Sequence, residues 1–529
     1  MLIDARSLPA GEEVESDVCV VGAGPAGLTL AMQLAEAGVR VSVVEAGGLE
    51  KTKSSVRLAS AESVGSTYYA VRTTRVKVFG GTSDHWGKMR ARPLDEIDFE
   101  RRPGVPHSGW PFERSHLEPY YERAHPICEL GPYTYDVKEW TEAGAPEPLP
   151  VGGRATTFMF QLAETEGFRR HLSTVTSTDK IQVLLHSHAA ELLTEPGADK
   201  VIGLRVLVDG GRGYTVAARH YVLAAGGLEN PRLLLMSTEH TPAGLGNGND
   251  LVGRYFAEHL RLRTGQFEPT DPSYVHRSTI YDVNKVDGVT LQANLGVSED
   301  VLREEELLNS TFFLEPHARV RGTEGARSLQ VLIEAATGAR PLPPRIGAHL
   351  RAITYQLPDV ARAGVRRLRG TLDHEPQALL LLAMGEQAPN PDSRVTLSTR
   401  RDQMGMPKLR LDWRLTDLDR RSILRAQDIV DEELRRAGVG GISHKAGAER
   451  FVEAMVRGFW HHIGTTRMHE DPRQGVTDAD GRVHGVSNLY VAGSSLFPTG
   501  GYANPTLTIV ALALRLADHL RDRLASHDA

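Results

Sequence analysis

The feature that most constrains the fold of this chain is a glycine-rich turn between a short apolar strand and a helix near the N-terminus. The sequence predicts a strand over residues 17–21, the turn Gly22-Ala23-Gly24-Pro25-Ala26-Gly27, a helix over residues 28–37 and a second strand over residues 39–44, followed by Glu45. Glycines permit close approach of the backbone to a pyrophosphate, a helix N-terminus attracts its charge, and an acid can hold ribose hydroxyls. The pattern predicts dinucleotide binding by Gly22, Gly24, Gly27 and Glu45.

A second glycine cluster indicates which dinucleotide is bound. Only one dinucleotide fingerprint occurs, so the sequence favours FAD alone or NAD alone over a flavin and a nicotinamide held at two such sites. The cluster reads Phe79-Gly80-Gly81-Thr82-Ser83-Asp84-His85-Trp86-Gly87. Its glycines let N–H groups approach a planar ring, and its tryptophan can cover that ring. An enzyme that uses only NAD has no evident need of this cluster, so we predict FAD, with binding residues that include Gly80, Gly81, Ser83 and His85.

A histidine and an asparagine near the C-terminus are the candidate catalytic residues. His461 opens the segment His461-His462-Ile463-Gly464-Thr465, and Asn504 lies 43 positions later in Gly500-Gly501-Tyr502-Ala503-Asn504-Pro505-Thr506. An imidazole has a pKa suited to proton abstraction near neutrality. Asn504 and Pro505 also read as the cap and first residue of a helix, because proline there gives up a donor that the helix cannot use. Catalysis and simple capping both explain Asn504, and His462 is the alternative base.

Together these motifs resemble the glucose–methanol–choline oxidoreductase family. The resemblance is carried by the N-terminal fingerprint, the Gly80-Gly81 loop, the His461-x-x-Gly464-Thr465 segment and the Ala503-Asn504-Pro505-Thr506 segment, in the same order. Within the family the chain is most similar to the branch of pyranose oxidases and bacterial glycoside 3-oxidases and dehydrogenases. The resemblance covers both ends of the chain and is weak from about residue 261 to 380.

The resemblance implies a fold and a reaction. The implied fold class is α/β, with a Rossmann-like FAD-binding domain interleaved with a substrate domain that is built on a mainly antiparallel sheet with helices. The implied reaction oxidises a secondary alcohol of a sugar, glycoside or similar polyol to a ketone, with hydride transfer to flavin N5, His461 as the base and Asn504 at the substrate oxygen. Further implied FAD contacts are Gly493, Asn504, Pro505 and Thr506. His85 matches a histidine that binds flavin covalently in pyranose oxidases, although other relatives hold FAD without this bond, and both modes stay open.

The two domains are predicted to alternate along the chain. The predicted FAD-binding segments are 1–92, 182–260 and 447–529, and the substrate domain takes 93–181 and 261–446, with a lid or arm around 317–370. Alternation over residues 394–397 and 408–411 predicts a sheet, and residues 418–437 predict a helix that covers it. Ten arginines fall within residues 319–369. A solvated helix surface or a subunit contact explains them better than a docking face for an acidic partner.

Composition excludes several classes of protein. With 529 residues, 40% of them hydrophobic, the chain is long enough for two domains, and its net charge of −6 gives no sign of a nucleic-acid or membrane-binding surface. Cys19 and Cys128 are too few for a disulfide framework. The apolar run over residues 507–514 is too short to span a bilayer. No signal peptide is visible, so a cytoplasmic enzyme is expected, and no residue pattern predicts a metal site.

Three functional classes follow from these residues. The first is an FAD-dependent oxidoreductase that acts on a small-molecule alcohol or carbohydrate and passes electrons to oxygen or another small redox acceptor. The second is a lyase on the same scaffold, which keeps the flavin as a structural group. The third is an electron-carrier flavoprotein, which would have no need of His461 and Asn504. Substrate-dependent bleaching of the flavin without air separates the first class from the other two, and the sequence favours no particular sugar, carbon atom, acceptor or oligomeric state.

Overall fold

The computed structural model describes most of the chain. The described residues are 1–85, 89–163, 167–208, 211–271, 273–274, 278–316, 328–329, 332–333, 335–336, 346–355, 357, 379–444 and 456–528. Three subjects of prediction lie wholly or largely outside them: Trp86 with Gly87, the arm around residues 317–370, and the arginine-rich segment 319–369.

The described part of the chain contains both strands and helices. The strands are β1 Leu2–Asp4, β2 Glu13–Val21, β3 Val41–Val44, β4 Ala61–Gly65, β5 Met89–Ala91, β6 Ala155–Ala163, β7 Ile181–Leu185, β8 His188–Thr194, β9 Val201–Leu207, β10 Gly213–Leu223, β11 Leu260–Pro269, β12 Asn284–Val286, β13 Val289–Val297, β14 Ser310–Pro316, β15 Leu379–Gly385, β16 Arg394–Arg401, β17 Pro407–Trp413, β18 Gly440–Ser443 and β19 Leu489–Val491. The α-helices are α1 Pro25–Glu36, α2 Lys53–Leu58, α3 Glu96–Phe99, α4 Glu118–Ile127, α5 Val137–Glu142, α6 Leu172–Thr176, α7 Gly226–Met236, α8 Glu299–Glu304, α9 Ile346–Tyr355, α10 Asp417–Arg436 and α11 Thr506–Asp528.

The first sheet is of the mostly parallel type that the N-terminal pattern predicts. Its order is β1-β7-β3-β2-β10-β9-β8, and β19 pairs with β10. Strands β1, β7, β3, β2 and β10 run parallel to their neighbours, and β19 runs parallel to β10. Strands β9 and β8 add an antiparallel edge. Val18, Val20 and Val43 are fully buried, as expected for parallel strands that are covered on both faces and therefore read as continuous apolar runs. Helix α1 packs on β2 and β3 and against α11.

The second sheet is antiparallel throughout. Its order is β18-β11-β15-β14-β13-β6-β5, and β12 pairs with β13. Helix α10 packs on this sheet with residues that recur at helical spacing: Ile423, Ala426, Val430 and Leu434 are buried. A capping box between Thr416 and Asp419 starts the helix, because each side chain satisfies a backbone N–H that the first turn leaves unpaired. The predicted α/β fold, with one mainly parallel and one antiparallel sheet, is confirmed.

One prediction about this region is wrong. The predicted strands over residues 394–397 and 408–411 exist as β16 and β17, but the helix predicted to cover them, α10, packs mainly on the second sheet. They join β4 in a separate three-stranded sheet, in which β17 and β4 run parallel. Alternation of side chains shows that a strand is half-buried, but it does not show which distant strand or helix buries it.

The sheets give a partial view of how the chain is divided. Strands of the first sheet fall at residues 2–44, 181–223 and 489–491, and those of the second sheet fall mainly at 155–163 and 260–443. β5, at Met89–Ala91, joins the second sheet although it lies in the segment 1–92, so the segment limits stay a prediction. Among the described residues, no helix combines the length and the apolarity that crossing a bilayer requires.

Candidate cofactor-binding and active site

A cavity of about 390 Å³ opens at the carboxyl ends of three parallel strands, where Val21, Val44 and Leu223 line it. In doubly wound sheets this end of the strands is where ligands bind. Ten of the predicted site residues line the cavity: Gly22, Gly24, Glu45, Gly81, Ser83, His461, Gly493, Asn504, Pro505 and Thr506. His462, the alternative base, also lines it, whereas Gly27, Gly80 and His85 do not.

The three glycines of the first turn have different tasks. A Cβ added to Gly22 would lie 2.7 Å from the Ala224 carbonyl oxygen, and one added to Gly27 would lie 2.0 Å from the Gly22 oxygen, so both positions are closed by the protein itself. A Cβ added to Gly24 would meet only Gly81 Cα, at 4.0 Å. Gly24 is the N-cap of α1 and no side chain caps that helix. The N-terminus of α1 therefore faces the cavity and can receive an anion such as a pyrophosphate.

Charged side chains complete the nucleotide end of the cavity. The Glu45 carboxylate accepts hydrogen bonds from the N–H of Ala23 at 3.0 Å and of Gly47 at 2.8 Å, and burial raises its pKa. It thus holds the glycine turn while its remaining lone pairs can accept from ribose hydroxyls. Arg75 and Lys77 also line the cavity and lie 2.7 Å and 3.3 Å from Glu229.

Two further observations fit a bound FAD. Gly493 has a φ of +109° and an added Cβ would meet nothing within 4 Å, so its backbone borders open space. The Asn504 side-chain oxygen is buried without a hydrogen-bond partner among the described residues, which is unusual for a buried polar atom unless a ligand supplies the partner. His85, the candidate for a covalent bond to the flavin, is exposed. Its ring lies 6.0 Å from the ring of Trp460, which lines the cavity.

The two candidate catalytic residues meet at the cavity wall. Asn504 Nδ2 lies 3.3 Å from His461 Nε2, although the residues are in different segments. The predicted capping role of Asn504 is wrong, because α11 begins at Thr506 and the Asn504 oxygen accepts no bond from it. The first helical hydrogen bond runs from the Ile509 N–H to the Pro505 carbonyl at 2.8 Å. The asparagine side chain is turned toward the histidine instead of along the helix.

Sequence reasoning missed Glu258 and His259, the two residues that contact the candidate base His461 from a distant part of the chain. The fully buried Glu258 carboxylate accepts the N–H of His461 at 2.9 Å and of Phe459 at 3.2 Å, and the Tyr68 hydroxyl donates to it. Burial raises the pKa of Glu258 to about 7. His259 Nδ1 lies 2.8 Å from His461 Nδ1. No local signal could have found these residues, because their partners lie about 200 positions away in the sequence.

Three neighbouring imidazoles share a buried environment. Burial, and then the neighbouring rings of His259 and His462, hold the pKa of His461 well below its usual value. Burial lowers the pKa of His259 to about 4, and burial together with Arg75 lowers that of His462 to about 3. His462 Nε2 lies 3.1 Å from the Tyr68 hydroxyl, so that nitrogen is engaged with protein. His461 Nε2 faces only the Asn504 amide and the cavity among its described neighbours.

Comparisons with known proteins agree with an FAD-binding fold. The family described as FAD dependent oxidoreductase matches residues 17–265, and the family described as GMC oxidoreductase matches residues 389–513. The 6'''-hydroxyparomomycin C oxidase of Streptomyces lividus is 27% identical over 97% of this chain and 93% of that protein. The C-glycoside 3-oxidase of Arthrobacter globiformis is 39% identical, over 24% of each chain. The crystal structure of pyridoxine 4-oxidase from Mesorbium loti has the same fold, with a TM-score of 0.54 at 19% identity over 95% of this chain and 99% of that one.

Proposed function

We propose that this chain, which belongs to the glucose–methanol–choline oxidoreductase family and depends on FAD, oxidises a secondary alcohol of a sugar, glycoside or similar polyol to a ketone. When bound, FAD supplies the acceptor for the hydride that leaves the alcohol carbon. The residues of the chain have to hold the cofactor, orient the hydroxyl group and take its proton. We assign the orientation to Asn504 and the proton to Nε2 of His461.

The observation that carries the proposal is the distance of 3.3 Å between His461 Nε2 and Asn504 Nδ2 at the cavity wall. An alcohol oxygen beside this pair can donate its proton to the imidazole and accept a hydrogen bond from the amide, which has two N–H groups. Glu258 keeps His461 in place through its bond to the backbone N–H at 2.9 Å. The base, its orienting partner and the nucleotide-binding turn thus border one cavity.

Other residues that line the cavity suit a polyol. Arg90 lines the cavity, and its Nη1 is buried without a hydrogen-bond partner among the described residues, so a substrate hydroxyl could satisfy it. Its guanidinium group is held in place over the Phe313 ring at 4.5 Å and by Gln292 Oε1 at 2.5 Å. Trp460 lines the same cavity and is 39% exposed. An aromatic face together with a fixed cationic donor is a common pattern in sites that bind ring-shaped polar ligands.

The comparisons favour a second candidate reaction on the same site. The full-length relative from Streptomyces lividus is named for a 6'''-hydroxy compound, and a hydroxyl on carbon six of a hexose is a primary alcohol. The 3-oxidase name, which supports oxidation of a ring carbon, belongs to a protein that matches 24% of this chain. Identification of the product separates the two candidates, because a primary alcohol gives an aldehyde and a secondary alcohol gives a ketone.

Anaerobic absorbance of the purified protein tests the function. Substrates from a panel of sugars, glycosides, aminosugar glycosides and simple alcohols are mixed with the flavin-loaded protein without air. We expect bleaching of the flavin by at least one carbohydrate and slower or no bleaching by simple alcohols. A lyase would turn over its substrate with the flavin still oxidised, and an electron carrier would bleach with a chemical reductant but with no alcohol. Either result would overturn the proposal.

The low pKa of His461 predicts how the reaction depends on pH. An exposed imidazole, with a pKa of ~6.5, is about three-quarters protonated at pH 6 and cannot then act as a base. Burial holds the pKa of His461 well below this range, so its neutral, basic form persists as the pH falls. We expect the rate constant of anaerobic flavin reduction, measured by stopped flow, to change by less than about 2-fold between pH 8 and pH 6. A fall that tracks an ordinary histidine titration would contradict this assignment.

Asn504→Asp tests the orienting role separately from folding. The change preserves size but replaces the N–H donor by a carboxylate, which would raise the pKa of His461 and leave more of the ring already protonated and unable to accept the alcohol proton. Because the Asn504 oxygen makes no cap bond, we expect an unchanged melting temperature and flavin reduction slowed by roughly 10-fold or more. Asn249→Asp, at a surface residue that bonds to the Pro472 carbonyl, is the matched control. Equal rates in the two variants would remove Asn504 from the mechanism.

A further inference from the structure

His259 lies behind the proposed base and does not line the cavity. Only 1% of its surface is exposed. Its two ring nitrogens have different partners: Nδ1 lies 2.8 Å from Nδ1 of His461, and Nε2 lies 3.2 Å from the carbonyl oxygen of Gly500. The two rings meet edge to face, with centroids 4.9 Å apart at an angle of 83°. His259 therefore bridges the segment that carries His461 and the segment that leads to Asn504.

The Gly500 carbonyl determines where the protons lie along this bridge. A carbonyl oxygen can only accept, so His259 must carry its proton on Nε2. A neutral His259 then has a lone pair on Nδ1, and the bond between the two rings requires that His461 donate from its own Nδ1. The neutral His461 ring consequently has its lone pair on Nε2, the nitrogen that faces Asn504 and the cavity.

We propose that His259 is a positioning residue that fixes the tautomer and the ring orientation of His461, so that the basic nitrogen of His461 always faces the substrate. This inference rests on the proposed function and adds to it the origin of the base's geometry. When Nε2 of His461 takes the alcohol proton, the ring becomes an imidazolium ion, and its Nδ1–H bond to the neutral His259 ring strengthens because the donor is then charged. Because the bridge ends on a carbonyl oxygen, which cannot carry a proton onward, the proton on Nε2 of His461 leaves the ring through the cavity and not through His259.

The charged groups near the bridge are paired with other partners, so His259 stays neutral. Glu386 lies close enough to favour a charge on His259, but its carboxylate is paired with Arg102 at 2.6 Å. Glu258 is turned to the backbone of His461 and to Tyr68. Burial keeps the pKa of His259 at about 4. At neutral pH, His259 can therefore accept the proton of His461 Nδ1 in a hydrogen bond without itself carrying charge.

Three substitutions of His259 test the positioning role. His259→Gln retains an acceptor toward His461 and donors toward Gly500, whereas His259→Leu fills similar space with neither. We expect His259→Leu to slow anaerobic flavin reduction by on the order of 10- to 100-fold, as is typical when the group that orients a functional histidine is lost, and His259→Gln to recover all but about 3-fold of it. The melting temperature, the FAD content and the binding of a non-oxidisable deoxy analogue of the substrate are measured in each variant. His259→Asn, one methylene too short to bridge both partners, should behave like His259→Leu and replaces it if the leucine variant does not fold.

The outcomes separate this inference from the function on which it rests. The positioning role would be overturned if His259→Gln reduced the flavin at the same rate as His259→Leu, or as His259→Asn where that variant replaces it, whether the shared rate is slow or fast. If no alcohol bleached the flavin of the unsubstituted protein, the proposed function itself would fail, whereas a His461→Ala variant that lost no rate would overturn the assignment of the base and, with it, the positioning role of His259. A slow His461→Ala with fast His259→Leu would leave the base in place and remove only its orienting partner. Reduction by dithionite should be equally fast in all of these variants, because it needs neither ring.

Discussion

Replacement of His461 by alanine is expected to slow flavin reduction by the substrate by on the order of 100-fold or more, while FAD remains bound. The Nε2 atom of the imidazole faces both the Asn504 amide and the cavity, so we expect no neighbouring residue to take the alcohol proton in its place. Its backbone N–H bond to Glu258 at 2.9 Å does not depend on the side chain. The loss should therefore appear in the rate constant of reduction and leave the visible spectrum of the oxidised flavin largely intact.

His462→Gln is the control in the same segment. His462 also lines the cavity, but its Nε2 lies 3.1 Å from the Tyr68 hydroxyl, and a glutamine can keep a hydrogen bond there. Stopped-flow reduction of both variants by the same substrate compares the two histidines. We expect His462→Gln to retain most of the rate. The reverse order, with a fast His461→Ala and a slow His462→Gln, would transfer the role of base to His462.

Gly24→Val is expected to give a folded, colourless protein. A Cβ at this position meets no protein atom closer than Gly81 Cα at 4.0 Å, so the chain itself tolerates a side chain. The added methyl groups would occupy the space in front of the N-terminus of α1, where the glycine turn lets a pyrophosphate approach the backbone. We expect FAD binding to weaken by about 100-fold or more, equivalent to ~2.7 kcal/mol. The ratio of flavin to protein after purification, and titration of FAD into the apoprotein, measure the effect.

Two other glycines show whether the cause is the ligand or the fold. Gly152→Val places its Cβ where nothing lies within 4 Å, at a position that is not part of the cavity lining, and should remain yellow. Gly27→Val would force its Cβ to within 2.0 Å of the Gly22 carbonyl oxygen, and should lower the melting temperature as well as FAD binding. If Gly24→Val also unfolded, or bound FAD normally, the predicted contact between the turn and the pyrophosphate would be wrong.

Much of this protein was determined by short stretches of sequence. The turn from Gly22 to Gly27, its flanking strands β2 and β3 and the helix α1 form one contiguous unit, so glycine spacing and apolar runs were enough to predict it. The C-terminal helix was predicted for the same reason, whereas the Rossmann-like fold was implied by the family resemblance, and the FAD dependence that these motifs indicate is confirmed. The limits of the domains and the roles of individual site residues are proposals, because spacing alone says nothing about the atoms that a side chain contacts.

The tertiary structure decided which distant groups meet. Glu258 and His259 adjoin His461 from 203 and 202 positions away, β4 pairs with β17 from the other half of the chain, and the Asn504 side chain turns to His461 instead of capping α11. Helix and strand preferences act over a few residues, whereas these contacts depend on how segments that are distant in the sequence pack together. The chain's local sequence therefore determined a nucleotide-binding fold and two candidate catalytic residues. Only the packed structure brought Glu258 and His259 to the proposed base and determined that Nε2 of His461 points toward the cavity.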